Sequence, residues 1–383
     1  MMRRTVFDED HEAFRATVRD FLVREVVPVY PEWEKAGAAP RDFYRLAGKL
    51  GILGLQVPEE YGGGGQRSFK FNAVVNEELA RAKLGLGPVR VHTDIVLPYL
   101  LRYTGEEQKR RWLPGVASGE LMTAIAMTEP GTGSDLAGIA STAVLDGEHY
   151  VLNGAKTFIT GAVNADLVLV VARTAPPADD RRAGLSILVV ESAAPGFSVG
   201  RNLDKLGLKA QDTAELAFAD VPVPAANLLG EEGRAFDYLR HNLAQERLSI
   251  AVNAQAAAAT ALEVTLAYVG ERNVFGRPLS GFQNTKFVLA ECATDVEAGQ
   301  ALVDRALEEH DAGGLSAADA AKVKLFCTEL QSRVVDKCLQ LHGGYGYVLE
   351  YPIARMYADA RVTRIYGGTS EVMKSIIAKS IGL

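Results

Sequence analysis

Gln340-Leu-His-Gly-Gly-Tyr-Gly346 and Tyr357-Ala-Asp-Ala-Arg-Val-Thr-Arg-Ile-Tyr-Gly-Gly-Thr-Ser-Glu371 are the two runs on which the reading of this chain turns. In the second, Gly367, Gly368, Thr369, Ser370 and Glu371 read as the opening of a final helix. Glycines put no side chain in front of the backbone N–H groups that a helix start leaves unpaired, which makes an anion or oxyanion site. Gly-Gly-Thr-Ser is also an ordinary capping sequence, so composition alone leaves both readings open.

Upstream, Leu243-Ala-Gln-Glu-Arg-Leu248 places an acid where a core is expected. Leu239, Leu243 and Ile250 share one helical face, and Glu246, three residues after Leu243 and four before Ile250, lies on it. An unpaired carboxylate there is costly, so it is partnered, protonated or used. A Glu reaching the edge of the face, or paired with an arginine, would give the same pattern.

With 383 residues, 48% of them hydrophobic, the chain exceeds one ordinary domain and has the apolar content for two or three packed units. Net charge is −7, with no basic stripe, so nucleic acid is not an expected partner. Cys292, Cys327 and Cys338 have neither CxxC nor Cys/His metal spacing and are expected to be packed, reduced thiols; no metal is expected. No apolar run reaches the roughly 18 residues of a membrane span. Met1-Met-Arg-Arg4 passes directly into the acidic Asp8-Glu-Asp-His-Glu12, unlike a secretory or transit leader. The expectation is a soluble, cytoplasmic bacterial protein without a membrane partner.

The pattern divides in three: a helical part over 1–120, a β domain over 121–225 and a helical bundle over 226–383. Phe14, Val18, Phe21, Leu22 and Glu25 trace a helix ended by Pro28 and Pro31, and Phe43, Leu46, Leu50 and Leu53 trace another. Residues 72–82 and 106–113 add further helix. Tyr61-Gly-Gly-Gly-Gly65 reads as a turn, since no Gly-Lys-Ser/Thr follows it. The runs 149–152, 166–171, 185–190 and 214–218 are β-rich and are separated by turn signals such as Asp146-Gly147 and Asn153-Gly154. A loop is expected over 173–183 and a linker at Val221-Pro-Val-Pro224. Beyond Gly233 the alanine-rich 251–261 stretch permits close helix approach in a bundle of about four helices.

Three further runs carry candidate chemistry. Ala126-Met-Thr-Glu-Pro-Gly-Thr-Gly-Ser-Asp135 supplies hydroxyls and glycines that let backbone N–H groups approach a ligand, without the spacing of a Rossmann loop. Lys156-Thr-Phe-Ile-Thr-Gly161 offers an aromatic and hydroxyls on a strand, and Glu271-Arg-Asn-Val-Phe-Gly-Arg-Pro278 is followed by Gln283. In this order, with the two C-terminal runs, the whole chain resembles the flavin-dependent acyl-CoA dehydrogenases, closest to the long-chain and isovaleryl-type branch. The resemblance implies an α+β fold of an N-terminal helical domain, a middle antiparallel β-barrel-like domain and a C-terminal four-helix bundle.

It also implies roles. Many members carry their catalytic glutamate at the position of Gly367; in the branch named above the base lies instead in the Glu-Arg-Leu context of Glu246, with a small residue at the C-terminal position. FAD contacts fall by resemblance on Met127, Thr128, Gly133, Ser134, Phe158 and Thr160. A neighbouring subunit's FAD is met by Arg272, Phe275, Gln283, Gln340, Gly343 and Gly344, and the adenosine end by Thr369 and Glu371. Phe158 stands where many relatives have Trp, which keeps an aromatic face. Substrate falls to Ser134, Arg247, Tyr366, Gly367 and Gly368, with the Gly367 N–H on the thioester carbonyl.

The expected reaction is oxidation of an acyl-CoA to the trans-2-enoyl-CoA, Glu246 removing the α-proton and the β-hydrogen leaving as hydride to flavin N5. Electron-transfer flavoprotein is the implied reoxidant, and a homo-oligomer, a dimer of dimers, is implied by the shared cofactor. Alternatives are a dehydrogenase of carrier-protein-tethered acyl groups, a flavin oxidase or monooxygenase of the same fold, and a non-enzymatic scaffold. Chain length and branching of the acyl group are not readable from these motifs.

Overall fold

The computed structural model describes residues 2–176 and 180–383; Pro177, Ala178 and Asp179 of the expected 173–183 loop lie outside the described residues. Asp8 caps the first helix by accepting from the His11 N–H, and Glu9, Asp10 and Glu12 fill its positively polarised first turn. The N-terminal helices are α1 Glu9–Phe21, α2 Tyr30–Ala36, α3 Arg41–Lys49, α4 Lys70–Arg81, α5 Gly87–Arg90, α6 Leu97–Tyr103 and α7 Glu106–Ser118. Pro28 falls at the end of the first helical run, but Pro31 opens α2 rather than ending anything, because a helix start has no use for the N–H that proline lacks. A π-helical turn over Val91–Val96 joins α5 to α6 into one rod.

The middle strands are β1 Thr123–Ala126, β2 Thr142–Asp146, β3 His149–Thr160, β4 Leu167–Arg173, β5 Leu185–Glu191, β6 Phe197–Asn202 and β7 Thr213–Pro224. They form one sheet in the order β1-β4-β2-β3-β7-β6, with β5 also on β4. Most pairs are antiparallel, but β1 runs parallel to β4 and β2 touches β4 in parallel at Thr142–Arg173, so the sheet is mixed where an antiparallel one was expected. Two readings need correction. Asn153-Gly154 is not a turn between strands but a bulge inside β3, where the register shifts between Leu152 and Gly154. Val221-Pro-Val-Pro224 is strand: Pro222 and Pro224 sit on β7 beyond its last pairing with β6, where a missing N–H costs nothing.

The bundle consists of α8 Ala235–Glu271, α9 Gln283–Asp311, α10 Ala317–His342, α11 Pro352–Ala360 and α12 Ser370–Ser380. The alanines of α8 are buried at two levels. Ala251 and Ala254 meet Val303, Val323 and Cys327, whereas Ala258 and Ala261 meet Leu330, Val334 and Cys338. The α8–α9 approach is tight enough that a Cβ on Gly299 would lie 2.2 Å from Gln255 Oε1. Among the described residues one helix, α8, is long and apolar enough to cross a membrane, yet it is the central helix of this bundle. The three cysteines are free and buried, and no group of acids, cysteines and histidines among the described residues has metal-holding geometry. Secondary structure changes between Ser118 and Thr123 and again between Pro224 and Ala235.

Candidate active site

Glu246 lies inside the bundle at 7% exposure, on the face of α8 that the apolar spacing assigned to it. Its carboxylate has no hydrogen bond or ion pair among the described residues. Burial pushes its pKa above the ordinary carboxylate range, against the pull of Arg247, Lys324 and Arg90. A buried acid without a partner, ringed by cations at longer range, is a poor structural element. It is a good base, because its proton affinity is raised while the surrounding charge still favours the ionised form.

Facing it is the turn before α12. Gly367 and Gly368 adopt φ of +63° and +94°, a region that L side chains rarely enter. A Cβ on Gly367 would stand 3.6 Å from Glu246 Oε1 and 2.3 Å from Ile250 Cδ1. The two sequence positions that were candidates for the base therefore open on the same small space. The Gly367 N–H donates to nothing among the described residues, so it is free for a ligand. Thr369 closes the turn as the α12 cap, its hydroxyl accepting from the Val372 N–H at 3.3 Å.

The turn is held from behind by side chains that the sequence reading did not single out. Lys324 Nζ donates to Gly368 O at 2.8 Å, and Arg90 Nη2 donates to the Tyr366 hydroxyl at 3.0 Å. Glu329 accepts from Arg364 Nε at 2.9 Å and from Ser370 Oγ at 2.7 Å, bracketing residues 365–369. Among the described residues two buried polar atoms here, Arg247 Nε and Arg90 Nη1, have no protein partner, and Tyr99 OH and Asn242 Nδ2 face each other outside good hydrogen-bond geometry. Groups of this kind are normally paired, so their concentration around Glu246 suits a polar ligand.

On the sheet side, β1 runs into Met127–Asp135. Lys156 Nζ donates to Met127 O at 3.1 Å and to Glu129 Oε1 at 2.8 Å, and Glu129 also accepts from the N–H groups of Ala140 and Ser141. Burial pushes Lys156 down to about 8 despite the attraction of Glu129. This buried pair pins the loop against β3, where the Thr157 N–H donates to Thr128 O at 2.9 Å. A second bulge, between Lys156 and Ile159, turns Lys156 inward and Phe158 outward, with φ of +60° and 65% exposure. Thr160 accepts from Gln211 Nε2 at 3.3 Å, and a Cβ on Gly133 would meet only Thr128 Cγ2 at 3.8 Å.

Lys156→Met is expected to lower stability by about 3–5 kcal/mol, since it strands a buried carboxylate. The check is a drop in the urea unfolding midpoint together with faster loss of bound flavin; an unchanged midpoint would remove the pair from the account.

The remaining candidates lie elsewhere. Arg272, Phe275, Gln283, Gln340, Gly343 and Gly344 gather at the far end of the bundle, about 39 Å along α8 from Glu246 at 1.5 Å per residue. There Phe275 is 96% exposed with φ of +49°, and the Arg272 guanidinium lies 5.4 Å from the Tyr345 ring centre. Within one chain this group is not brought to Glu246.

Three sequence models cover the chain: acyl-CoA dehydrogenase N-terminal domain over residues 8–120, middle domain over 124–221 and C-terminal domain over 233–382. The chain belongs to the acyl-CoA dehydrogenase family. It is 46% identical to the mitochondrial long-chain specific acyl-CoA dehydrogenase of Sus scrofa over 378 residues, covering 99% of this chain and 88% of that one. The crystal structure of an acyl-CoA dehydrogenase from Geobacillus kaustophilus superposes with a TM-score of 0.98 at 49% identity, each chain covered completely. A glutaryl-CoA dehydrogenase from Mycobacterium smegmatis in complex with FADH2 superposes with a TM-score of 0.91 at 31% identity, over 98% of this chain and 95% of that one.

Acyl-CoA dehydrogenases use FAD, and the residues present here fit it. An outward-turned aromatic at Phe158, a hydroxyl at Thr160, an open glycine at Gly133 and a free N–H at Gly367 supply a ring face, polar contacts and a clear approach. Of the residues that sequence reasoning missed in this acyl-CoA dehydrogenase, Lys324 left a signal. It interrupts the apolar series Ala320, Val323 and Cys327 of α10 much as Glu246 interrupts that of α8. Arg90 and Tyr99 left none, because a π-turn separates them and removes the regular spacing.

Proposed function

We propose that this enzyme oxidises an acyl-CoA thioester to its trans-2-enoyl-CoA, with Glu246 as the α-proton base and the Gly367 N–H as donor to the thioester carbonyl. The observation that carries the reading is the buried, unpaired Glu246 carboxylate facing the positive-φ Gly367 turn at the start of α12. When bound, FAD supplies the acceptor for the β-hydrogen as hydride. The chain's own part is positional and electrostatic. Gly367 stabilises charge that develops on the carbonyl oxygen, and Glu246 receives the proton from the carbon next to it. Arg247, Lys324 and Arg90 favour the ionised form of the base, against the burial that raises its pKa.

Met127, Thr128, Gly133, Ser134, Phe158 and Thr160 hold FAD on the sheet side, and Ser134, Arg247, Tyr366, Gly367 and Gly368 line the substrate's path. Arg272, Phe275, Gln283, Gln340, Gly343 and Gly344 serve the FAD of a second subunit. Their distance from Glu246 and the bare ring of Phe275 support a cofactor completed across an interface, in a dimer of dimers. Thr369 and Glu371 meet the adenosine end, and electron-transfer flavoprotein reoxidises the flavin.

Purified protein is expected to be yellow and oligomeric and to bleach anaerobically when straight or branched acyl-CoAs are added. Arg272→Ala should weaken flavin retention without unfolding the bundle. A monomer that holds FAD stoichiometrically would sink the shared site, and failure of every acyl-CoA to bleach it would sink the reaction.

A further inference from the structure

We propose that Lys324 is a positioning residue of the reaction: its ammonium sets the Gly367–Gly368 turn through the Gly368 carbonyl and places a positive charge beside Glu246. The inference rests on Glu246 being the base.

Lys324 sits in the middle of α10 and is fully buried. Burying a lysine is costly unless its ammonium is paired or hydrogen-bonded, so the contact it makes carries information. Among the described residues its ammonium makes one hydrogen bond, to Gly368 O at 2.8 Å. That carbonyl belongs to the residue after Gly367, so the contact fixes the turn that carries the unpaired Gly367 N–H. Neither glycine has a side chain to hold the turn from its own side, and both have positive φ. The restraint must come from a neighbour, and α10 provides it through Lys324 at the carbonyl and Glu329 at the flanks.

The charge has its own effect. The groups facing Lys324 are Glu246 and Arg247 from α8, Glu329 from α10 and Glu371 from α12. Those facing Glu246 are Arg247, Lys324 and Arg90, with Tyr99 nearby on α6. Lys324 has no carboxylate within ion-pair distance among the described residues, and burial together with Arg247 pushes it down to about 8, so its charge is present below that pH. It therefore acts on Glu246 through space, in a medium where such interactions are strong. Removing it takes away one of the cations that oppose the upward push of burial, so the Glu246 pKa rises further.

The test uses the FAD-loaded enzyme and its best straight-chain acyl-CoA. Lys324→Met removes donor and charge, Lys324→Gln keeps a donor without charge, and Lys324→Arg keeps the charge. In Lys324→Met, kcat should fall at least about tenfold, because the turn that presents an oxyanion donor loses its tether. The acid limb of the pH profile of kcat/KM should move up by about one unit, as expected for losing a cation near a carboxylate. Lys324→Gln should show the same displacement, and Lys324→Arg should return the limb to the wild-type position. A purely structural lysine would lower stability in all three without separating Gln from Arg. An acid limb at the wild-type pH in both Lys324→Met and Lys324→Gln overturns the proposal. If Lys324→Met does not fold, the Gln–Arg contrast decides alone. Glu246→Gln measured alongside separates the two claims: retained turnover there removes the base itself, whereas lost turnover with unmoved limbs removes only the role of Lys324.

Discussion

Glu246→Gln is expected to reduce turnover by roughly 10²–10⁴, the range that general-base removal gives, while FAD stays bound. Glutamine keeps the size of the side chain but cannot accept the α-proton. The flavin is expected to remain because the sheet-side loop is pinned by Lys156 and Glu129, which are independent of Glu246. The wild-type acid limb of kcat/KM should lie above the ordinary carboxylate range, since burial raises the Glu246 pKa and the proposed role of Glu246 needs its ionised form. Below that limb the carboxyl is protonated and inactive; above it the base is available. Substrate binding, read by spectral perturbation of the flavin, should survive in the variant. Near-normal dehydrogenation by Glu246→Gln would require another carboxylate as base.

Glu246 was legible because α8 is regular from end to end, so an acid at an apolar position stands out. The three-part organisation was legible for the same reason: periodicity changes from helical to alternating and back. What was not legible depends on contacts between segments distant in sequence. Asn153-Gly154 has the letters of a hairpin turn, but pairing of β3 with β7 on both sides of it turns the pair into a bulge. The prolines of 221–224 read as a linker because the sequence does not say that one edge of β7 is free there. Phe158 was identified through resemblance, while its outward direction follows from a second bulge that no local signal announces. Arg90 reaches Tyr366 across 276 residues of chain and leaves no periodic trace, whereas Lys324 breaks an apolar series on α10 but nothing local announces its partner, Gly368, 44 residues further on.

The second large effect is expected at Gly367, where Gly367→Ala should lower turnover by roughly 10², the cost of displacing a reacting group by about 1 Å. Two causes act together. The backbone is at φ +63°, where a non-glycine residue costs on the order of 1–3 kcal/mol. The added Cβ would also lie 2.3 Å from Ile250 Cδ1, so either Ile250 or the turn must move. Ile250→Val deletes that methyl at a cost of about 0.5–1.5 kcal/mol in stability and should recover part of the loss in the double variant. The same geometry governs an exchange of the base between the two helices. A carboxylate introduced as Gly367→Glu starts from a Cβ position 3.6 Å from Glu246 Oε1, close enough to serve the same α-carbon. Added to Glu246→Gln alone it should restore little, because Ile250 blocks its first atom. Added to Glu246→Gln with Ile250→Val it should restore measurable dehydrogenation. Equal activity of those two combinations, or a fully active Gly367→Ala, would show that Ile250 does not control which helix carries the base.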